Sequence, residues 1–200
     1  MSPKNEPESF CPASPQHWRE WLQAHHAERQ SVWLIYHKKQ SATPSLTWSQ
    51  AVDEALCFGW IDSRAQPIDA ARYRQFFSRR KPGSGWSKIN KAKIERLTAA
   101  GLMAPAGLAS VETARQNGAW TLLDDIEALH LPADLAQALA AQPPAASFFE
   151  RLSRTDKRNI LHWLASAKRL ATRQQRLAEI VAQAAQQRKP AQFRGRPHPR

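Results

Sequence analysis

Arg79, Arg80, Lys81 and Lys88 surround Gly83, Gly85 and Trp86 in the stretch RRKPGSGWSKIN, residues 79–90. The glycines free the backbone, and Ser84 or Ser87 can cap a helix that begins beside Trp86. Unpaired N–H groups at a helix start, ringed by cations, attract anions. The spacing is neither G-x-x-x-x-G-K-[ST] nor G-x-G-x-x-G after a strand, so it does not specify a nucleotide loop. A capped basic turn that faces water has the same composition.

GWIDSR, residues 59–64, is the second constellation. Strand alternation predicts Trp60, Asp62 and Arg64 on one face, with Ile61 and Ser63 on the other. Asp62 can then pair with an arginine of RYRQFFSRR and aim it at a ligand carboxylate or phosphate. A purely structural cross-strand ion pair uses the same residues and is the commoner outcome. Of the eight tryptophans, Trp18, Trp21 and Trp48 fall on apolar helix faces and are expected in the core. Trp86, between glycine and serine in a basic loop, is the one expected to meet a ligand. The candidate ligand site is therefore Trp60, Asp62, Arg80, Lys81, Trp86, Ser87, Lys88 and Asn90.

Catalytic and metal signatures are weak. Cys11 and Cys57 form no CxxC motif, and Cys57 sits at the apolar end of a helix, where a thiol behaves as a small hydrophobe. No His-x-x-x-His pair exists for a metal, His25 and His26 diverge on a helix, and no carboxylate pair has acid–base spacing. No catalytic residue, metal or cofactor is assigned, and binding is favoured over catalysis.

These residues need elements to position them. Ser14-Pro15 starts a helix that carries Trp18, Trp21, Leu22 and His25 on one face. SVWLIYHK, residues 31–38, reads as a mostly buried strand. Thr47 with Gln50 makes a capping box, and its helix places Trp48, Val52 and Ala55 together before ending near Gly59. WIDSRAQPID and RYRQFFSRR read as two strands joined by a turn at residues 68–71. A helix follows from Ser87 to about Ala100, with Lys88, Lys91 and Glu95 on one side and Ile89, Leu97 and Ala100 on another. Gly101 and Gly118 end this helix and the next, which spans about 108–117. A short helix is expected over 133–141, then strongly helical sequence over 145–187.

The fold class is α+β: a small, mainly antiparallel sheet with packed helices, followed by a helical C-terminal segment. Residues 1–13 are expected to be a flexible arm, 14–120 the α+β domain, 121–187 the helical segment and 188–200 a disordered basic tail. If the C-terminal helix runs unbroken, Arg158, Arg169, Arg173 and Arg176 form a narrow stripe able to track phosphates or an acidic partner. Arginines on an ordinary amphipathic helix make the same pattern.

Charge is unevenly spread along the 200 residues, whose net value is +12. Residues 151–200 carry 13 basic against two acidic side chains, and residues 64–96 carry ten against two. The remainder is net acidic. Such segments suit an anionic partner: nucleic acid, anionic lipid or an acidic protein. No apolar run reaches transmembrane length, and the polar N-terminus with Glu6 and Glu8 is unlike a secretory signal. A cytoplasmic setting is expected. Oligomeric state is not encoded in any pattern.

ALCFGWIDS, then YRQFFSRRKPGSGWSKINKAKIERLTAAGLMAPAG, NGAW and AKRLATRQQRLAEIV together resemble the YdeI/OmpD-associated family of bacterial proteins, over about residues 15–187. That family tends to carry Pro-Arg where this chain has Arg79-Arg80, so Arg80 is the matching arginine. The basic tail from about Pro190 lies outside the resemblance. The resemblance implies stress tolerance and protection against bacteriocins or cationic peptides, with porin association suggested by the family name; it implies no catalytic residue or cofactor. A protein of net charge +12 repels a cationic peptide, so protection is expected to be indirect, through an envelope protein or regulation. The leading expectation is a non-enzymatic protection protein that binds an anionic ligand or partner. A nucleic-acid-binding protein and a small-molecule enzyme with an anionic substrate remain open alternatives.

Overall fold

The computed structural model describes residues 7–38, 41, 43 and 46–194. The chain forms two compact units, Met1–Leu122 and Leu123–Arg200. The fold is α+β, with strands confined to the first unit among the described residues.

The first unit opens with strand β1 (Ser9–Phe10) and helix α1 (Pro15–His25). Ser14 Oγ accepts from the His17 backbone N–H and Pro15 occupies the first turn, which fixes the helix start. Strand β2 (Ser31–His37) follows, then α2 (Trp48–Cys57), β3 (Trp60–Pro67) and β4 (Arg72–Arg79). The Thr47–Gln50 capping box is formed in both directions. Helices α3 (Lys88–Ala99) and α4 (Pro105–Gln116) complete the unit, with Ser87 Oγ capping α3 at the Asn90 N–H. Gly59, Gly101 and Gly118 all have positive φ, as expected for the residues that end these helices.

Strand order is β1-β2-β4-β3, with β1 parallel to β2 and the other pairs antiparallel. Ser9–Phe10 thus lies in the sheet rather than in a loose arm, because its backbone finds partners on the free edge of β2. Residues 1–6 of the expected arm and 195–200 of the expected tail lie outside the described residues; within the tail, Ala191–Phe193 form a 3-10 turn.

One sheet face carries Val32, Leu34, Tyr36, Trp60 and Phe77 and packs with the helices around Trp18, Leu22, Leu56 and Trp86. Two expectations about that core fail. Trp48 is 46 % exposed, because its indole N–H is drawn to the Asp62 carboxylate at 2.9 Å. Ile89 is 62 % exposed, and α3 is buried through Ile94 and Leu97 instead. Helix α4 meets the end of α2 through Gly107, where an added Cβ would lie 2.2 Å from the Cys57 carbonyl oxygen.

The second unit is built from α5 (Asp124–Glu127), α6 (Ala133–Ala140), α7 (Pro143–Arg151), α8 (Arg154–Ala165) and α9 (Leu170–Ala185). Its core gathers Leu135, Leu139, Phe149, Ile160, Leu161, Leu164 and Ile180. The continuous helical sequence is broken twice. Leu152 is extended and Ser153 caps a new helix at Asp156, and a further break separates Ala165 from Leu170.

Gly107→Ala is expected to destabilise the first unit by about 1–3 kcal/mol, since backbone must shift to admit the methyl. Gly83→Ala, with open space around its Cβ position, should change stability by no more than about 0.5 kcal/mol. Urea unfolding followed by tryptophan emission compares the two, as seven of the eight tryptophans lie in this unit.

Candidate functional site

The corner between β4 and α3 is organised by Arg80. Its backbone N–H donates to the Gly59 carbonyl at 2.9 Å, tying the end of β4 to the start of β3. Its guanidinium lies 3.7 Å from the centre of the Trp86 ring, and Nη2 donates to the carbonyls of Gly85 (2.5 Å) and Ser84 (3.3 Å). The loop PGSG therefore wraps the cation. Trp86 is 1 % exposed and packs 5.1 Å from Trp120. It is the floor beneath Arg80 rather than a face open to a ligand, which corrects the role expected for it.

Arg80 has no carboxylate partner among the described residues, and its Nε is buried without an acceptor. Burial lowers its pKa to about 10, because a low-dielectric setting penalises the charged form. Beside it lies a cleft of about 390 Å³, lined by His26, Gly59, Trp60, Arg79, Arg80, Ser110 and Thr113, among others. The Trp60 indole N–H is a second buried donor without an acceptor. Arg79 is committed elsewhere: its Nε donates to the carbonyls of His26 and Arg29, both at 2.9 Å, and its Nη2 to that of Ala27. It thereby holds the turn after α1 against the cleft. His26 Nδ1 lies 2.8 Å from the Leu22 carbonyl, a position for a donated proton.

Asp62 does not join this group. Its Oδ2 accepts from Trp48 Nε1 at 2.9 Å and from Gln75 Nε2 at 3.0 Å, instead of pairing with a β4 arginine. The cations of β4 are drawn to other partners: Arg72 to Asp69 and Arg74 to Gln66. Nor does Arg64 share the face of Asp62. The register shifts between Asp62 and Ala65, so Ser63 and Arg64 both oppose Phe76, and Arg64 emerges on the face away from the helices. Lys81 and Lys88 are exposed, Asn90 is half-buried, and Ser87 serves as the helix cap.

The arginine stripe is dismantled by the helix breaks. Arg158 lies on α8, 3.9 Å from Glu127, and Arg169 sits at the N-cap of α9. Arg173 is engaged by Asp134 through two hydrogen bonds of 2.8 and 2.9 Å. Arg176 donates to Trp163 O and Ser166 Oγ and lies over the Trp163 ring. Arg158, Arg173 and Arg176 fasten the helices of the second unit to one another. The Arg173 guanidinium holds the Asp134 carboxyl below its ordinary range.

Some pairings had no sequence signal. Cys11 Sγ lies 3.8 Å from His37 Nε2, and Ser41 Oγ lies 3.5 Å from His37 Nδ1. The parallel β1–β2 pairing brings these together across 26 residues. Among the described residues no group of three or more His, Cys, Asp or Glu can hold a metal ion, and no helix is long and apolar enough to cross a membrane.

Two family models match the chain. Residues 10–110 match Domain of unknown function (DUF8412), and residues 128–187 match Bacteriocin-protection, YdeI or OmpD-Associated. The resemblance to the latter family is thus carried by AKRLATRQQRLAEIV and its surroundings, while ALCFGWIDS lies in the other match and NGAW in neither. No curated protein and no solved structure matches.

Asp62→Ala removes the acceptor of the Trp48 N–H and one of the two acceptors of the buried Gln75 amide, which keeps the Ser63 carbonyl at 2.9 Å, and is expected to cost about 1 kcal/mol in urea unfolding. Asp134→Asn in the second unit is expected to cost about 0.5 kcal/mol, given its exposure to solvent. Because the folded-state pKa of Asp134 is depressed, that stability is present above the unfolded carboxylate value. It is lost as pH falls through the folded value. Acid unfolding followed by the second unit's single tryptophan, Trp163, should show this contribution in the parent chain and not in the variant.

Proposed function

We propose that this chain, which belongs to the DUF8412 family through residues 10–110 and carries a bacteriocin-protection, YdeI or OmpD-associated domain over residues 128–187, is a bacterial protection protein that acts by binding a small anionic ligand in the Arg80 cleft. The observation that carries this reading is a half-buried guanidinium without a carboxylate partner among the described residues, on a residue that lines a cleft. A buried cation without a partner is costly, and so is an unmade hydrogen bond. A phosphate or carboxylate group in the cleft supplies the missing counter-charge. The volume of about 390 Å³ falls in the range of small-ligand sites.

The Trp86 stack and the Ser84 and Gly85 carbonyls hold the guanidinium plane before any ligand arrives, so little ordering cost falls on binding. Arg79 holds one wall, and Trp60 lines another part of the cleft. Lys81 and Lys88, both exposed, add positive potential near the corner and steer an anion toward it. Asp62 belongs to the Trp48–Gln75 network and takes no part.

Titration of the full chain with inorganic phosphate and pyrophosphate, followed through arginine Nε–H signals in NMR, tests the binding. Arg80 is expected to shift on titration, and Arg80→Gln to weaken binding by about tenfold or more. Absence of any shift, or equal affinity of the variant, rejects the cleft as an anion site. Bacteria producing the protein are expected to survive bacteriocin challenge better than those producing Arg80→Gln. Equal survival with and without the protein rejects the protective role.

A further inference from the structure

We infer that the pocket between α8 and the segment 189–194 of the second unit is a binding site for a neutral pyranose sugar. It draws on no residue of the Arg80 cleft. Asn159, His162, Trp163 and Ser166 stand at i, i+3, i+4 and i+7 along α8 and its C-cap, which places them on one helix face. The helix buries Ile160, Leu161 and Leu164 in the core of the unit, so that face borders the surface. Gln192 and Phe193 stand opposite, and the six residues line a space of about 320 Å³. That volume falls in the range of small-ligand sites.

The far wall is fastened by polar contacts from both neighbouring helices. Lys189 Nζ lies 3.1 Å from the Asp156 carboxylate of α8. The Ala191 backbone N–H donates to Glu179 Oε1 of α9 at 2.9 Å, and Arg194 Nε returns to the Lys189 carbonyl at 2.9 Å. Pro190 is buried. So held, Phe193 meets Trp163 edge-on, with ring centres 5.9 Å apart and planes at 85°. Two rings at right angles make a corner rather than a slot. A puckered ring with C–H groups on its faces fills a corner; a flat heterocycle needs a slot to be stacked on both sides.

The polar groups around this corner are uncommitted. The side chains of Asn159, His162 and Gln192 are exposed and make no hydrogen bond among the described residues, nor does the Trp163 indole N–H. Two amides, an imidazole and an indole offer donors and acceptors together, which matches neighbouring hydroxyl groups that both give and take a proton. Ser166 is already spent: its Oγ donates to the Trp163 carbonyl at 2.8 Å and accepts from Arg176 Nη1 at 2.9 Å. None of the six lining residues is a lysine, arginine or carboxylate, although residues 151–200 carry 13 basic side chains. Arg176 lies over the Trp163 ring at 5.1 Å, and its Nη1 is bound to the Trp163 carbonyl and Ser166 Oγ. A phosphate or carboxylate therefore finds no lining cation to pair with. A purely aliphatic ligand would displace water from the amides and return no hydrogen bond.

The test follows the indole N–H signals of the nitrogen-labelled full chain by NMR, with Trp163 identified by the loss of its signal in Trp163→Phe. Glucose, galactose, mannose and N-acetylglucosamine are titrated, with glycerol and adenosine for comparison. At least one of the sugars is expected to shift the Trp163 signal to saturation, with a dissociation constant on the order of 1–10 mM. The other seven tryptophans should not respond. Asn159→Ala favours the helix at an exposed position, and Gln192→Ala leaves the backbone of the far wall in place; each is expected to weaken binding by about fivefold. Phe193→Ala should weaken it by about tenfold while the parent circular dichroism is retained. Arg80→Gln should leave sugar binding unchanged, which keeps this site distinguishable from the cleft of the first unit. No saturating shift with any of the four sugars, an equal response to glycerol, tighter binding of adenosine, or parent-like affinity in both alanine variants of the amides would each overturn the assignment.

Discussion

The Arg80 guanidinium, stacked at 3.7 Å on Trp86, closes the first unit's core at the corner where β4 hands over to α3. Its backbone N–H ties β4 to the start of β3 at Gly59. Its side chain binds the Ser84 and Gly85 carbonyls, so the glycine loop has one conformation to adopt. Trp86 in turn is packed against Trp120, which extends the core toward the end of the unit. A neutral side chain could fill the same space without the electrostatic cost of burial. Beside the cation lies the cleft of about 390 Å³.

A second constraint acts on the sheet. The irregularity between Asp62 and Ala65 gives it two chemically distinct faces. Toward the helices, Asp62 is absorbed into a network with Trp48 and Gln75 that satisfies a buried amide. Away from them, Arg64 and Arg74 cover Trp33 and Phe76. One extra residue in β3 thereby separates the carboxylate from the arginine that follows it by two positions. The result is an acidic group inside a structural network and a basic, aromatic surface outside. The two family matches follow the same modular logic, one within each compact unit.

Much of the first unit was legible because its signals are local. The Thr47–Gln50 box, the Ser14-Pro15 start, the Ser87 cap and the positive-φ glycines each depend on a few adjacent residues, and each forms. The site was less legible. Trp86 looked open because its neighbours are glycine and serine, but its burial comes from Arg80 and Trp120, which local sequence does not place. Trp48 has helical spacing with Val52 and Ala55, yet a hydrogen bond to Asp62 holds it at the surface. Ser153 and Asp156 carry a capping pattern that breaks the C-terminal helix, and reading through it produced an arginine stripe that the three-dimensional structure lacks.

The sequence by itself determined the α+β class, the helix caps and the basic segments, because backbone propensity and charge are properties of neighbouring residues. Tertiary structure alone decided which cations are spent. Arg79 goes to the carbonyls after α1, Arg173 goes to Asp134, Arg80 remains without a carboxylate among the described residues, and Arg64 is turned by the bulge onto Trp33. The physical reason is that a charge is defined by the partner it finds, and those partners lie on other elements, brought within reach only when the sheet register and the helix breaks are set.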